Sequence, residues 1–128
     1  MSGACGYTYG NNAIWQMYEK GESFAIPALY DWKESLDRPG ADDMRHVRAL
    51  FETRLFSKLI PDQSIVYGVN PRNEDHIRAA RAEDGTFLLV YIAKGQEVTV
   101  YTDKIDDDVV GWWFNPRNGE ALPTEEIT

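Results

Sequence analysis

Thr86-Phe87-Leu88-Leu89-Val90-Tyr91-Ile92 runs for seven residues without a break in apolar or β-branched character. As a strand it sets Phe87, Leu89 and Tyr91 on one face and Leu88, Val90 and Ile92 on the other. A strand apolar on both faces belongs in the interior of a sheet, so this one is expected at the centre. His76 to Ala82, rich in Ala and Arg, precedes it. Glu83-Asp84-Gly85 joins the two, and Gly85 can take the positive φ that a tight hairpin needs. Further out, Glu97 to Thr102 alternates Val98 and Val100 with Thr99 and Tyr101, the pattern of a strand with one buried and one wet face. Ser64 to Gly68 reads as an edge strand. Val109 to Phe114 carries Trp112, Trp113 and Phe114. The two tryptophans must point to opposite faces, one expected buried and the other partly exposed. Asn115-Pro116-Arg117-Asn118-Gly119 then reverses the chain into a short strand around Glu120 to Leu122, because proline pre-sets the first turn residue and Asn-Gly supplies the left-handed ones. Asn70-Pro71-Arg72-Asn73 repeats the tetrapeptide without repeating its flanks, which points to shared turn chemistry.

The N-terminal part reads differently. Ala4 to Gly10, with Gly6 and Gly10 around Tyr7-Thr8-Tyr9, is expected as a strand that has no hairpin partner in the next thirty residues. A short helical turn through Ile14, Trp15 and Met17 follows, then a packed loop from Gly21 to Pro39 with a helical turn at Asp31 to Leu36. Asp42 to Arg54 is the strong helix. Met44, Val47, Phe51 and Leu55 recur at spacings of three and four, and Leu50 widens the stripe. Pro39-Gly40 precede it, and Asp42 and Asp43 suit the positive end of its dipole. Pro61-Asp62 stops any continuation.

Composition narrows the function classes. A chain of 128 residues can hold one domain with a core, or a domain and a piece of another. With 43% hydrophobic and 27% charged residues it is a globular sequence. A net charge of −8 without clustered Lys and Arg argues against nucleic acid and against an acidic membrane surface. No apolar run approaches the roughly 20 residues that span a bilayer. Met1-Ser2-Gly3-Ala4 has neither the basic nor the apolar region of a signal peptide, so an exported parent would carry its signal elsewhere.

Metal and cofactor chemistry finds little purchase. Cys5, the single cysteine, excludes an internal disulfide and is expected to be buried and inert in its apolar strand. His46 and His76 lie thirty residues apart with no partner at zinc spacing. Asp103, Asp106, Asp107 and Asp108 invite calcium but lack the central Gly and distal Glu of a binding loop, and read as a solvated turn. No phosphate loop, nucleophile elbow or triad appears. No cofactor and no metal are expected.

The pieces, taken in order, resemble a known family. Gly6-Tyr7-Thr8-Tyr9-Gly10, Ile14-Trp15-Gln16, Leu36-Asp37-Arg38-Pro39-Gly40-Ala41, Arg48-Ala49-Leu50-Phe51-Glu52-Thr53-Arg54 and Leu59-Ile60-Pro61-Asp62-Gln63-Ser64 resemble the C-terminal third of the apiosidase-like glycoside hydrolases. Ile77-Arg78-Ala79-Ala80-Arg81, Asp84-Gly85, Val90-Tyr91 and Trp112 to Gly119 look like the module that follows the barrel of those enzymes, which is labelled as the collagen-binding domain of a collagenase.

That resemblance implies a mainly β chain: an antiparallel β-sandwich over residues 55–128, preceded over residues 1–54 by a remnant of a (β/α)8 barrel, its last strand near Ala4 to Tyr9, a loop and its last helix. Barrel glycosidases use two carboxylates at the C-terminal ends of strands, and the family's organisation places both upstream of residue 1. The segment Tyr9 to Trp15 would line the sugar pocket; relatives carry histidine near Asn11 or Asn12, where this sequence departs. Tyr7, Tyr9 and Trp15 then become candidate stacking platforms for a sugar, with Asn11 and Asn12 hydrogen-bonding its hydroxyls; the alternative is that the aromatics pack as core. The expected function is the non-catalytic C-terminal portion of a glycoside hydrolase, inactive alone, whose parent barrel takes a carbohydrate substrate. Two other readings stay open: a module binding collagen or carbohydrate as a polymer, and a stand-alone protein that self-associates to cover its orphan strand and helix.

Overall fold

The computed structural model describes residues 1–106 and 108–124. They form two units. One holds Met1–Cys5, Arg54–Trp113 and the described residues from Pro123 on; the other holds Gly6–Thr53 and Phe114–Leu122.

In the first unit, β1 (Leu59–Pro61), β2 (Arg78–Ala82) and β3 (Leu88–Tyr91) make an antiparallel sheet in the order β1-β2-β3. Sequence pattern puts β3 at its centre; the structure puts β2 there. Ala79, Ala80 and Ala82 are 0% exposed, whereas no residue of β3 is fully buried and Tyr91 is half exposed. The reason is size. Methyl side chains on both faces of β2 let neighbours close over it, while the larger side chains of β3 reach into the core from a flank. Pairing puts Ala79 opposite Val90 and Arg81 opposite Leu88, so Leu88 and Val90 share a face with Ala79. With Ile92 and Val98 they cover a core of Ile65, Val66, Ile77 and Ala79.

The hairpin turns at Gly85, whose φ is +73°, as expected. Asp84 fixes it by accepting hydrogen bonds from the Thr86 amide and hydroxyl. The expected strands Ser64 to Gly68 and Glu97 to Thr102 shrink to one antiparallel bridge, Val66 with Val100, flanked by bonds from Tyr67 N to Thr99 O (2.9 Å) and from Tyr101 N to Ile65 O (2.8 Å). The described residues therefore have a mixed architecture, with small antiparallel sheets and a few helices.

β4 (Trp112–Phe114) and β5 (Ala121–Pro123) pair as a two-stranded ribbon around the expected turn. Trp112 and Trp113 are each 56% exposed, so neither is the buried member of the pair. A two-stranded ribbon has no third layer to cover one face. The repeated tetrapeptide is used in two ways. Asn73 and Asn118 each accept from the amide two residues on, but Asn115 accepts from Arg117 N while Asn70 clasps Ile77 at both N–H (3.0 Å) and C=O (2.8 Å). Turn chemistry is shared only at the last asparagine.

The second unit contains α1 (Asn12–Trp15), α2 (Trp32–Leu36) and α3 (Pro39–Glu52). Helix α3 starts three residues before the expected Asp42, with Pro39 in its first turn, where a missing N–H costs nothing. Its stripe of Met44, Val47, Leu50 and Phe51 is half-buried, and none of its residues is fully buried. Ala4 to Gly10 forms no strand, because a strand needs a ladder and no described segment supplies one. Cys5 is exposed there, against the expectation of a buried thiol. The loop before α2 is largely exposed instead of packed. Asp107 of the acidic run lies outside the described residues, and among those described no cluster of His, Cys, Asp and Glu is placed to hold a metal and no helix is long and apolar enough to cross a membrane.

If β2 is the closed centre of its sheet, Ala79→Leu should overfill it and lower stability by about 1–3 kcal/mol in urea denaturation. An unchanged midpoint would place Ala79 on an open face.

Candidate functional site

Asn11 builds the start of α1. Its backbone is extended (φ −135°, ψ 125°), and its Oδ1 accepts the Ala13 N–H at 2.9 Å, the arrangement of a helix cap. Asn12 donates from Nδ2 to the Pro27 carbonyl at 3.1 Å. Both amides are therefore engaged in holding the chain. Trp15 closes the helix and is 70% exposed; Tyr7 is 76% exposed. Neither fills a core. Tyr9, at 36%, lies against the first turn of α3, where a methyl group on Gly40 would come within 3.3 Å of its hydroxyl oxygen. The structure thus gathers Asn11, Asn12 and Trp15 on one short helix and anchors Tyr9 on another.

Gln16 is the residue that sequence reasoning missed. Its Nε2 donates to Asn12 O (3.0 Å) and Ile26 O (2.6 Å), and its Oε1 accepts from Ala25 N (2.8 Å) and Ile26 N (3.3 Å). One amide satisfies three backbone groups of a loop that has no ladder of its own and ties them to a carbonyl of α1. Nothing local in the sequence signals it, since the partners lie nine and ten residues on. Asp31 works similarly, accepting the Lys20 N–H, while Trp32 N donates to Tyr18 O at 2.9 Å. Ala13 and Ser35, both buried, let α1 and α2 pack closely. An open cleft of about 380 Å³ is lined by Glu19, Lys20, Asp31, Trp32, Lys33 and Glu34, and by none of the five predicted residues. Lys33 stands 5.4 Å from the centre of the Trp32 ring, over the surface a planar ligand would need.

The first unit carries the strongest electrostatics. Lys104 (2.8 Å), the Ser64 hydroxyl and Arg81 (2.9 Å) hold the Asp62 carboxyl well below the usual carboxylate range. Asp62 is 14% exposed and Arg81 20%. Lys104 also donates to Ser64 Oγ at 2.7 Å, closing the network. Lys58 and then Thr86 lower Asp84 in the same sense, and Glu74 and Asp75 raise Lys94. These pairs tie together segments far apart in the sequence.

Residues 60–128 match the family model described as "Putative collagen-binding domain of a collagenase", and residues 1–58 match one described as "Apiosidase-like, catalytic domain". The first covers more than half of the chain. This chain belongs to that collagen-binding-domain family, with an apiosidase-like segment ahead of it. Solved structures agree. A protein titled "Glycoside hydrolase" shares 32% identity with the chain at a TM-score of 0.86, over 94% of this chain and 27% of its own. A glycoside hydrolase family 5 protein from Bacteroides vulgatus shares 29% identity at a TM-score of 0.87, over 95% of this chain and 27% of its own. The chain therefore spans about a quarter of the length of these relatives. No curated protein matches it.

Two predictions follow from this geometry. Gln16→Ala should speed amide exchange at Ala25 and Ile26 by roughly tenfold, the effect of losing a net 1–2 kcal/mol of hydrogen bonding; unchanged exchange would mean that the loop holds itself. For Asp62, the folded carboxyl ionises more readily than the unfolded one. Its contribution is complete above the unfolded value near about pH 4 and is lost as pH falls through the lower folded value. Asp62→Asn should thus begin about 1–3 kcal/mol less stable at neutral pH and fall less steeply in acid. Parallel acid slopes would remove the carboxylate from the account of stability.

Proposed function

We propose that the chain is the C-terminal, non-catalytic portion of a glycoside hydrolase that cleaves a glycosidic bond of a polysaccharide. In this reading residues 1–54 supply the final extended segment and helix of a (β/α)8 barrel, and residues 55–128 a β-sandwich that supports it. The supporting observation is the pair of glycoside hydrolases that superpose on nearly all of this chain while it spans 27% of theirs. Local features agree with it. Ala4 to Gly10 has no ladder and α3 has a half-covered apolar stripe, as a barrel's last strand and helix would without their neighbours. The catalytic carboxylates would lie on the remaining strands, at their C-terminal ends.

Tyr7, Tyr9, Asn11, Asn12 and Trp15 would then edge the pocket and meet the sugar. The exposure of Tyr7 and Trp15 supports this role, since an aromatic ring that covers no core is free to stack on a sugar's C–H face. Asn11 and Asn12 fit it less directly, because each already has a structural bond. A second reading, a module that binds collagen or carbohydrate as a polymer, draws on the description of the family matched by residues 60–128.

Residues 1–128 alone are expected to release no product from aryl glycosides; turnover abolished by changing one of the chain's own Asp or Glu residues would refute the non-catalytic reading. In the full-length parent, Trp15→Ala should raise KM through loss of about 1 kcal/mol of stacking, with the melting temperature nearly unchanged. A drop worth about 3–5 kcal/mol of stability with unaltered kinetics would return Trp15 to a core role.

A further inference from the structure

Asn118-Gly119 is the single Asn-Gly pair in the sequence. In such a pair the backbone nitrogen of the second residue reaches the asparagine side-chain carbon with least hindrance, because glycine has no Cβ. Attack by Gly119 N on Asn118 Cγ forms a cyclic imide, breaks the Cγ–Nδ2 bond and releases ammonia, which carries off the amide proton. One water then opens the imide at either carbonyl, leaving aspartate or isoaspartate at 118. Asn118 is exposed, so solvent has access to it.

Three contacts oppose this reaction in the folded turn. Gly119 N–H donates to Asn115 O at 2.8 Å. Asn118 Oδ1 accepts the Glu120 N–H at 3.0 Å, and Asn118 Nδ2 donates to Glu120 Oε2 at 2.6 Å. Both ends of the side-chain amide are thereby held toward residue 120, and the attacking nitrogen keeps its proton in another bond. The susceptible glycine is also not exchangeable. Gly119 has φ +76°, and a Cβ there would lie 2.5 Å from His46 Nδ1.

We propose that Asn118 is a latent modification site, kept as asparagine by the Glu120 clamp and converted by intramolecular deamidation when the β4–β5 turn opens. Conversion sets a carboxylate beside Glu120 where a donor stood, and isoaspartate lengthens the backbone, so the turn does not reclose on the same bonds. The site records opening of the turn irreversibly.

The test incubates the 128-residue chain at mildly alkaline pH and measures aspartate and isoaspartate at position 118 by peptide mass spectrometry. Conversion should be about tenfold or more faster in the urea-unfolded chain than in the native one, since only opened molecules react. Glu120→Ala should fall between the two, and Glu120→Gln, whose amide oxygen still accepts from Asn118 Nδ2, should stay near the native rate. Asn118→Asp, mimicking one product, should lose amide protection at Gly119 and Glu120. Equal rates in native and unfolded chains would overturn the proposal. So would a Glu120→Ala chain with native circular dichroism that converts no faster than the unaltered protein, or full protection in Asn118→Asp.

Discussion

Closure of neighbours over three alanines is the constraint on which the sheet unit depends. Ala79 and Ala80 point to opposite faces of β2, and both are wholly out of solvent. A strand can be covered that closely only if its own side chains take little room, and over Ala79 the volume is made up by residues reaching in from elsewhere: Leu88, Val90 and Ile92 from one flank, Ile65, Val66 and Val98 from the loops. Packing at interior density leaves no slack for a larger residue at the centre. Arg81 fits the same logic. Arg81 shares a face with Ala79, yet its guanidinium ends on Asp62, so its stem lies along the sheet while its charge is paired.

Apart from α3, regular secondary structure among the described residues is short, and side-chain amides take over where ladders stop. Asn70 clasps Ile77 as a neighbouring strand would; Gln16 does the same for residues 25 and 26; Asn11 caps a helix of a single turn. Each amide brings a donor and an acceptor at fixed separation, which is what an unpaired stretch of backbone lacks. A chain so built keeps irregular segments in place without burying them. The same device governs the Asn118 turn, where it restrains chemistry as well as conformation.

The relation to glycoside hydrolases rests on a different kind of observation, the joint match of two family models in series and of two solved enzymes over almost the whole chain. Among the described residues the ion pairs join carboxylates to lysine or arginine. Asp62 and Asp84 are held ionised by lysines, the opposite of what a general acid requires. Tyr7 and Trp15 are among the large apolar side chains that this chain leaves exposed.

Local chemistry was legible from residues alone. Gly85 and Gly119 made their turns because a positive φ tolerates little else, though Asn118, also expected left-handed, is not; α2 and α3 followed their spacing and their proline, and the hairpin of β2 and β3 formed where its turn demanded. Long-range balance was not legible. Hydrophobicity favoured β3 as the centre, but which strand is central depends on what closes over it, and small size decided for β2. Alternation at Glu97 to Thr102 announced a strand, yet a strand exists only as far as its partner follows it, and 65–67 follows for a single bridge. The candidate site divides the same way. Five residues could be named by type and order; that Asn12 is engaged by the Pro27 carbonyl, that Tyr9 rests on Gly40, and that Gln16 ties the loop to α1 were settled by contacts between residues distant in the chain, which no local pattern encodes.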